Sequence, residues 1–287
     1  MNSLEISSNK GGPVGKPTLL FLTNLYNGAA EEDIYLSKRL REWFEVYLAH
    51  PLDSADFERD FDAVLVRNVW PTHEYRAQKT ELLRRLLTRE LIPLSAIEQG
   101  YLAVDNYLEK EYLVELYRQG YPVIPTVDRP EHVEQLGPTT EFFIKPKDQC
   151  DGEGSERVRR NELASRYQPN YLIQPYVRFD SEICFYFVDG EFVYAFSTSN
   201  RLTSDVYVPY TPTPADMEFA LSFVRWNGLA YGLQRIDAVR VSETQTLLLT
   251  EVEDFGPYLF LLELPEEVRE RAVQAITKSL LNRCSNE

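Results

Sequence analysis

The chain has 287 residues, of which 44% are hydrophobic and 26% charged, the composition of a folded globular protein with two or three lobes. A formal net charge of −15, without a Lys/Arg stripe interleaved with aromatic residues, argues against a nucleic-acid partner. No apolar run approaches the ~20 residues of a membrane span and no signal-peptide core precedes the first strand, so we expect a cytoplasmic protein without a membrane partner.

Cysteine and histidine spacing gives no support for a disulfide framework or a zinc site. The three cysteines are widely spaced and never form a Cys-x-x-Cys pair, and the three histidines lack ligand spacing. We therefore interpret them as structural or surface residues; they are Cys150, Cys184, Cys284, His50, His73 and His132.

The first part of the chain reads as a tail followed by a small α/β lobe. Residues 1–16 are rich in Ser, Asn and Gly and indicate a mobile tail. Gly11–Lys16 is not a phosphate loop, because Lys10 and Pro17 stand where that motif needs Gly and Ser or Thr. Alternating short apolar runs and amphipathic helices then predict a parallel sheet. The predicted strands are 18–23, 45–49, 62–67 and 91–94; one helix carries Ile34, Leu40, Trp43 and Phe44, the other Leu82, Leu83, Leu86 and Leu87.

The rest of the chain predicts an antiparallel sheet backed by helices. A helix over about 107–118 ends at Gly120, and Asp189-Gly190 between two aromatic strands is typical of a two-residue hairpin. The whole chain is therefore expected to be α+β. The predicted strands are 142–147, 171–177, 182–188, 191–197, 233–241 and 246–253, and the predicted helices are about 214–226 and 265–281.

A cluster of charged residues on the last two strands is the most informative feature. Strand alternation puts Arg235 and Asp237 on one face and Glu251 and Glu253 on one face of the partner strand. Such a cluster also occurs as a solvated strip, but here the flanking residues are apolar. Because like charges in a half-buried sheet repel, a hard cation such as Mg²⁺ is the economical explanation.

Groups suited to phosphates lie upstream of this cluster. Lys145 precedes a proline on a strand, and Lys110 lies on the preceding helix. The loop 151–155 contains Gly152 and Gly154, whose flexible backbone offers N–H groups that can close over phosphates. A Gly-x-Gly by itself is more typical of a plain turn.

The segment Gln174, Pro175, Tyr176 and Val177 ends a strand just before the aromatic hairpin. Because Pro175 interrupts a regular ladder, we expect neighbouring backbone groups to be available for an adenine edge. Glu182 follows within reach of a ribose.

Three further residues are candidates for substrate binding. Arg67 stands with 68–70 at the end of a predicted strand, where α/β lobes bind ligands, and a guanidinium pairs bidentately with a carboxylate. A surface arginine beside a core Trp is the alternative. Arg201 and Tyr207 are similar candidates.

Taken in order, these elements resemble the ATP-grasp superfamily over roughly residues 62–261. The resemblance is closest to the glutathione-synthetase-like and RimK-like branch, which includes the ring-closing ligase of cycloserine formation. Members of that branch end in Glu-x-Glu followed by Pro and a Leu-Phe-Leu run, as in 251–261 here. The resemblance implies a small N-terminal α/β lobe followed by two α+β lobes that clamp the nucleotide. It implies the segments 1–16, 17–97, 98–177 and 178–287, the last two being the lid and the C-terminal lobe.

The resemblance also implies an activity and a role for each matching residue. The chain would use ATP and Mg²⁺ to activate a small-molecule carboxylate as an acyl phosphate for attack by an amine or a similar nucleophile, and a homodimer is left open. A nucleotide-binding regulator and a kinase without ligation are the competing classes. The implied roles are Lys110 and Lys145 on ATP, Gln174–Val177 on adenine, Glu182 on ribose, Arg235 beside the developing charge, and Asp237, Glu251 and Glu253 on magnesium.

Two departures from the superfamily pattern concern the same site. Many members have Asn at the position of Glu253, and Glu is usual only in the branch named above. Some relatives have an arginine where Cys184 stands, so a substrate contact is either missing here or supplied from elsewhere, for instance by Arg201.

Overall fold

The computed structural model of the protein describes residues 15–25, 29–51, 60–67, 76–103, 110–147, 152–198 and 207–284. Within these residues the chain forms eleven strands, seven α-helices and a 3-10 helix, Pro130–Leu136. The strands are β1 (Thr18–Leu22), β2 (Glu45–Ala49), β3 (Ala63–Val66), β4 (Glu141–Pro146), β5 (Glu156–Arg159), β6 (Tyr171–Pro175), β7 (Phe179–Val188), β8 (Glu191–Thr198), β9 (Tyr207–Pro209), β10 (Leu233–Val241) and β11 (Leu247–Glu253). The helices are α1 (Ala29–Leu40), α2 (Arg76–Thr88), α3 (Ala96–Ala103), α4 (Tyr112–Arg118), α5 (Leu163–Arg166), α6 (Pro214–Asn227) and α7 (Glu266–Cys284).

The N-terminal sheet is parallel, with the order β2-β1-β3. Since β1 has a neighbour on each side and is covered on both faces, Leu19–Leu22 are fully buried. The predicted parallel α/β character of this lobe is confirmed.

Two antiparallel sheets follow. The smaller, which we call the central sheet, has the order β5-β4-β6. The larger has five strands in the order β11-β10-β7-β8-β9. Its β7–β8 turn places Asp189 at φ 52° and Gly190 at φ 75°, the left-handed pair that a tight two-residue hairpin requires. The expected α+β arrangement is therefore present, while the predicted lobe boundaries at 97/98 and 177/178 stay predictions.

The five-stranded sheet has two buried faces with different partners. Ile183, Phe185 and Phe187 of β7 pack with α4 and α6 in one core. Cys184 and Tyr186 lie on the opposite face, in a core shared with the N-terminal lobe and α7. The face that carries Cys184 is therefore the one that meets the N-terminal lobe.

Several sequence predictions for the N-terminal half are wrong. Residues 91–94 are not a strand, because the Leu91 N–H closes the end of α2 on the Leu86 carbonyl and Pro93 lacks a donor. Ile34 was placed on the buried face of α1 but is 56% exposed, since Glu32 and Asp33 take the inward positions.

The remaining differences are short elements. The prediction missed α3, β5, β9 and α5, each of at most eight residues. The predicted tail 1–16 lies outside the described residues except for its last two.

None of the described helices combines the length and the hydrophobicity that a membrane span needs. Cys184 and Cys284 are not joined in a disulfide, and Cys150 and His73 lie outside the described residues.

Candidate active site

A β-bulge in the last hairpin directs the acidic residues. Asp237 pairs with Glu251, but its neighbour Ala238 pairs with Leu249, so Thr250 is an extra residue in β11. This extra residue lets Leu249 face the helix-covered core while Glu251 turns to the opposite face. Simple alternation would put Leu249 and Glu251 on the same face. The bulge therefore keeps the Glu251 carboxylate out of the core.

Arg235 lies at the centre of the charged cluster. Its guanidinium is buried and contacts Asp237 at 2.9 Å (Nε–Oδ1) and 2.8 Å (Nη2–Oδ2), and Nη2 also contacts Glu253. Burial alone would lower the pKa of Arg235, but Asp237 and Glu253 outweigh it and raise that pKa well above the usual range. Arg235 is therefore a permanent cation held beside two carboxylates.

The third carboxylate of the cluster, that of Glu251, contacts a different cation. Lys110 Nζ lies 3.2 Å from Glu251 Oε1. Burial is the main cause that raises the pKa of Glu253, which reaches about 7; Asp237 and Glu251 act in the same direction, and Arg235 and Lys110 oppose them. A cation bound beside Glu253 would therefore favour its ionised form.

The donor set suits magnesium in kind, since hard cations prefer carboxylate oxygens. As they stand, however, the carboxylates face Arg235 and Lys110, and no group of three or more acidic, His or Cys side chains in the described residues is gathered around a common point. Metal binding would require Arg235 to release Glu253. The assignment of Asp237, Glu251 and Glu253 as magnesium ligands stays a prediction.

Lys145 brings the central sheet to the same place. Its Nζ donates to the Thr250 carbonyl, the bulge carbonyl, at 3.2 Å. Burial, together with the charge of Lys110 and against the opposing charge of Glu251, lowers the pKa of Lys145 to about 8. A buried amine beside a second one is a group that an anion would stabilise in its charged form.

Two features that fix Lys110 and β11 were not found from the sequence. Lys110 lies in a turn before α4, not on a helix as predicted, and its N–H donates to the Lys147 carbonyl at 3.0 Å. The buried Tyr112 hydroxyl accepts the Val252 N–H at 2.7 Å and donates to the Val252 carbonyl at 3.3 Å, between the two glutamates of β11. Tyr112 resembles an ordinary core residue in sequence, so nothing in the sequence indicates this contact.

The predicted glycine loop is a turn between β4 and β5. Gly152 and Gly154 have φ of 74° and 70°, and the Ser155 N–H donates to the Gly152 carbonyl at 3.0 Å. A Cβ on Gly154 would lie 3.0 Å from Pro146 Cγ, so this position also needs glycine for space. Asp151 lies outside the described residues, and phosphate binding by the loop stays a prediction.

The predicted adenine segment is only partly available. Pro175 stays in the ladder opposite Phe142, and the Tyr176 N–H donates to the Glu141 carbonyl at 3.0 Å, so the expectation that Pro175 frees its neighbour is wrong for Tyr176. The buried Gln174 side chain donates to Thr126 Oγ1 at 2.8 Å.

The other two residues of the predicted nucleotide site are Val177 and Glu182. Val177 follows β6, in the link to β7. Glu182 of β7 shares the sheet face of Asp237, one row further along. The ribose role of Glu182 stays a prediction.

Arg67 is not placed to bind a substrate carboxylate. Its side chain is 0% exposed, and its donors reach Glu32 at 2.6 Å (Nη2), Asp33 at 3.1 Å (Nε) and the Pro257 carbonyl (Nη1). The sequence prediction for Arg67 is therefore corrected, because two adjacent acids from α1 already take its charge.

The other predicted substrate residues remain predictions. Tyr207 is half-buried on β9, where its ring contacts Phe196 and Phe260 at centroid distances of 5.1 and 4.4 Å. Arg201 and 68–70 lie outside the described residues.

A separate cavity of about 80 Å³ lies between the N-terminal lobe, α7 and the loop after β11. It is too small for a nucleotide and mainly apolar, with side chains such as Leu83, Leu233 and Ile276 in its lining. We therefore place the candidate site at the charged cluster.

The arrangement of the three sheets defines a known fold. Solved ATP-grasp ligases superimpose on nearly the whole chain, including one from Chryseobacterium gregarium in complex with ADP and a leader and core peptide (TM-score 0.65, 14% identity, 93% of this chain and 97% of that one). The D-alanine–D-alanine ligase of Bacillus anthracis complexed with ATP gives a TM-score of 0.67 at 12% identity, over 94% of this chain and 99% of that one. The chain has the ATP-grasp fold, which confirms the fold expected from its sequence.

The resemblance to a cycloserine-forming protein is also confirmed. The crystal structure of D-cycloserine synthetase DcsG gives a TM-score of 0.68 at 22% identity, over 92% of this chain and 99% of that one. In sequence, the cycloserine biosynthesis protein DcsG of Streptomyces lavendulae is 29% identical over 182 residues, 54% of this chain and 58% of that protein. The aligned part thus spans less than two thirds of that relative's length. No family model matches the chain.

Proposed function

We propose that the chain is an ATP-dependent ligase that joins a small-molecule carboxylate to an amine and forms ADP and phosphate. The observation that supports this most directly is the meeting of Lys110, Lys145 and Arg235 with the carboxylates of β10 and β11. This cluster stands where two antiparallel sheets of an ATP-grasp fold approach each other.

The first step we propose is attack of a substrate carboxylate oxygen on the γ-phosphorus of ATP, with ADP leaving. Lys110 and Lys145 orient the phosphates, and Arg235 neutralises charge that spreads over the transferring oxygens. A magnesium ion held by Asp237, Glu251 and Glu253 would supply further positive charge to the phosphates.

In the second step the amine nitrogen attacks the acyl carbon of the acyl phosphate, inorganic phosphate leaves, and the amine loses a proton. This route needs no nucleophile from the protein. The cycloserine synthetase and the D-alanine–D-alanine ligase are both named after small molecules, which supports a small-molecule carboxylate and amine here.

ADP release from Mg-ATP, measured with carboxylates alone, amines alone and pairs of the two, tests this proposal. A ligase releases ADP at its full rate only with a pair, and the Asp237→Asn variant loses that rate. A kinase would release ADP with the carboxylate alone. A regulator would gain thermal stability from ATP and release no ADP with any pair.

A further inference from the structure

A buried ionic cluster joins the N-terminal lobe to the loop that follows the acidic strand. Glu32 and Asp33 of α1 and Arg67 after β3 are all fully buried. Arg67 contacts both acids, and together they lie beneath the segment 257–261, which begins four residues after Glu253. Burying three ionised side chains is costly unless each is paired and hydrogen-bonded, so the cluster calls for an explanation.

Glu32 holds the loop by its backbone. Its Oε1 accepts the Leu259 N–H at 2.9 Å and its Oε2 accepts the Leu261 N–H at 2.8 Å. Arg67 holds the same loop from the other side through the Pro257 carbonyl. The side chain of one helix residue therefore fixes two alternate amides of the loop.

The loop in turn holds the central cation of the candidate site. Arg235 Nη1 donates to the Tyr258 carbonyl at 3.2 Å, and the Tyr186 hydroxyl donates to the same carbonyl at 3.2 Å. The Tyr194 hydroxyl fixes the next carbonyl, that of Leu259, at 2.6 Å. Phe260 adopts a left-handed backbone (φ 53°), which a non-glycine residue keeps only when its surroundings impose it.

We propose that Glu32, paired with Arg67, is a positioning residue for phosphoryl transfer, acting through the loop 257–261 on the guanidinium of Arg235. The inference rests on the proposed ligase function for its kinetic consequence, but the anchoring of the loop is independent of any activity. It also gives Arg67 a role in place of the substrate contact predicted from the sequence.

The substitution Glu32→Gln tests this with the smallest change of shape. Gln keeps the size of the side chain, removes one of two acids beside Arg67, and presents an N–H₂ where one of the loop amides needs an acceptor. Since Arg67 keeps Asp33, no cation is left without an acid, and the variant should fold. A matched control is Glu270→Gln, which breaks the Arg39–Glu270 pair between the same helix and α7 without touching the loop.

Three readouts separate positioning from general loss of structure. Hydrogen exchange in Glu32→Gln should quicken about 10-fold or more at whichever of the Leu259 and Leu261 amides faces the new N–H₂ group, and it should stay unchanged at both amides in Glu270→Gln. At a temperature where every variant is folded, kcat should fall about 10–100-fold in Glu32→Gln with the KM for ATP within about 3-fold. In an Arg235→Lys background the same substitution should cost less than about 3-fold, because Glu32 acts through the residue already changed.

Unchanged exchange at both amides would overturn the proposal, as would a full kinetic cost of Glu32→Gln in the Arg235→Lys background. If Glu32→Gln does not fold, Arg67→Lys takes its place in the same three measurements, since it keeps the charge but cannot reach all three acceptors. If the wild-type chain releases no ADP with any substrate pair, the ligase function fails, and the exchange measurement alone then decides whether Glu32 anchors the loop.

Discussion

Replacing Lys145 by Met should make the protein more stable and at the same time inactive. The pKa of Lys145 is lowered from 10.5 to about 8, so holding the amine charged at pH 7 costs up to roughly 3 kcal/mol. The variant loses the hydrogen bond to the Thr250 carbonyl, which contributes about 1 kcal/mol. The net gain is about 2 kcal/mol, or a rise in Tm of about 4 °C for a chain of this size.

The sign of the pH dependence gives a second check on the same variant. The folded protein releases the Lys145 proton near pH 8, whereas the unfolded chain keeps it until about 10.5, so wild-type stability rises with pH over this window. The stability advantage of Lys145→Met should therefore shrink between pH 8 and 10.5. Lys278→Met, at an exposed position of α7, serves as the control and should change little.

Thermal unfolding monitored by circular dichroism at pH 7 and at pH 10 measures both effects, and ADP release measures the loss of activity, expected at about 100-fold or more. A Tm of Lys145→Met below that of the wild type at pH 7, or an advantage that does not depend on pH, would refute the reasoning. Either result would show that keeping the Lys145 amine charged in the folded protein has no energetic cost.

Three further predictions, which use four substitutions, concern the elements around the site. Tyr112→Phe removes the hydroxyl that clamps Val252, so stability should fall by about 1–2 kcal/mol and turnover by about 10-fold; urea unfolding and ADP release check this, and unchanged turnover would exclude a positioning role for the hydroxyl. Gly154→Ala should cost more stability and raise the KM for ATP more than Gly152→Ala, because both are strained but only Gly154 also meets Pro146; equal effects would contradict the close approach. Glu251→Gln should move the Mg²⁺ dependence of ADP formation to higher metal concentration in a titration with metal, and an unaltered titration would remove this residue from the metal site.

Much of the fold follows from local patterns in the sequence. Hydrophobic alternation predicts the long strands, and the Asp189-Gly190 turn predicts the β7–β8 hairpin. Both elements can be predicted because they depend mainly on residues that are close together in the sequence. Residues 91–94 were misassigned because a four-residue apolar run is ambiguous, and the backbone bond that ends α2 cannot be seen in the pattern.

The candidate site, too, could be predicted only in part from the sequence. Spacing alone places Arg235, Asp237 and the β11 glutamates on adjacent strands. The Thr250 bulge, and the burial of Glu32 beside Arg67, arise from contacts between residues far apart in sequence, so a single sequence gives no sign of them. The exposure of Ile34 on α1 has the same cause, since the acids it follows take the inward positions.

The central claim is that a nucleotide's phosphates and a divalent ion lie between Lys110 and Lys145 on one side and Asp237, Glu251 and Glu253 on the other. A crystal structure with Mg²⁺ and a non-hydrolysable ATP analogue tests it most directly. We expect a metal about 2.0–2.2 Å from oxygens of these carboxylates, with Arg235 turned away from Glu253 and towards the γ-phosphate. A nucleotide bound elsewhere, or Arg235 still paired with Glu253 and no metal on the carboxylates, would contradict it.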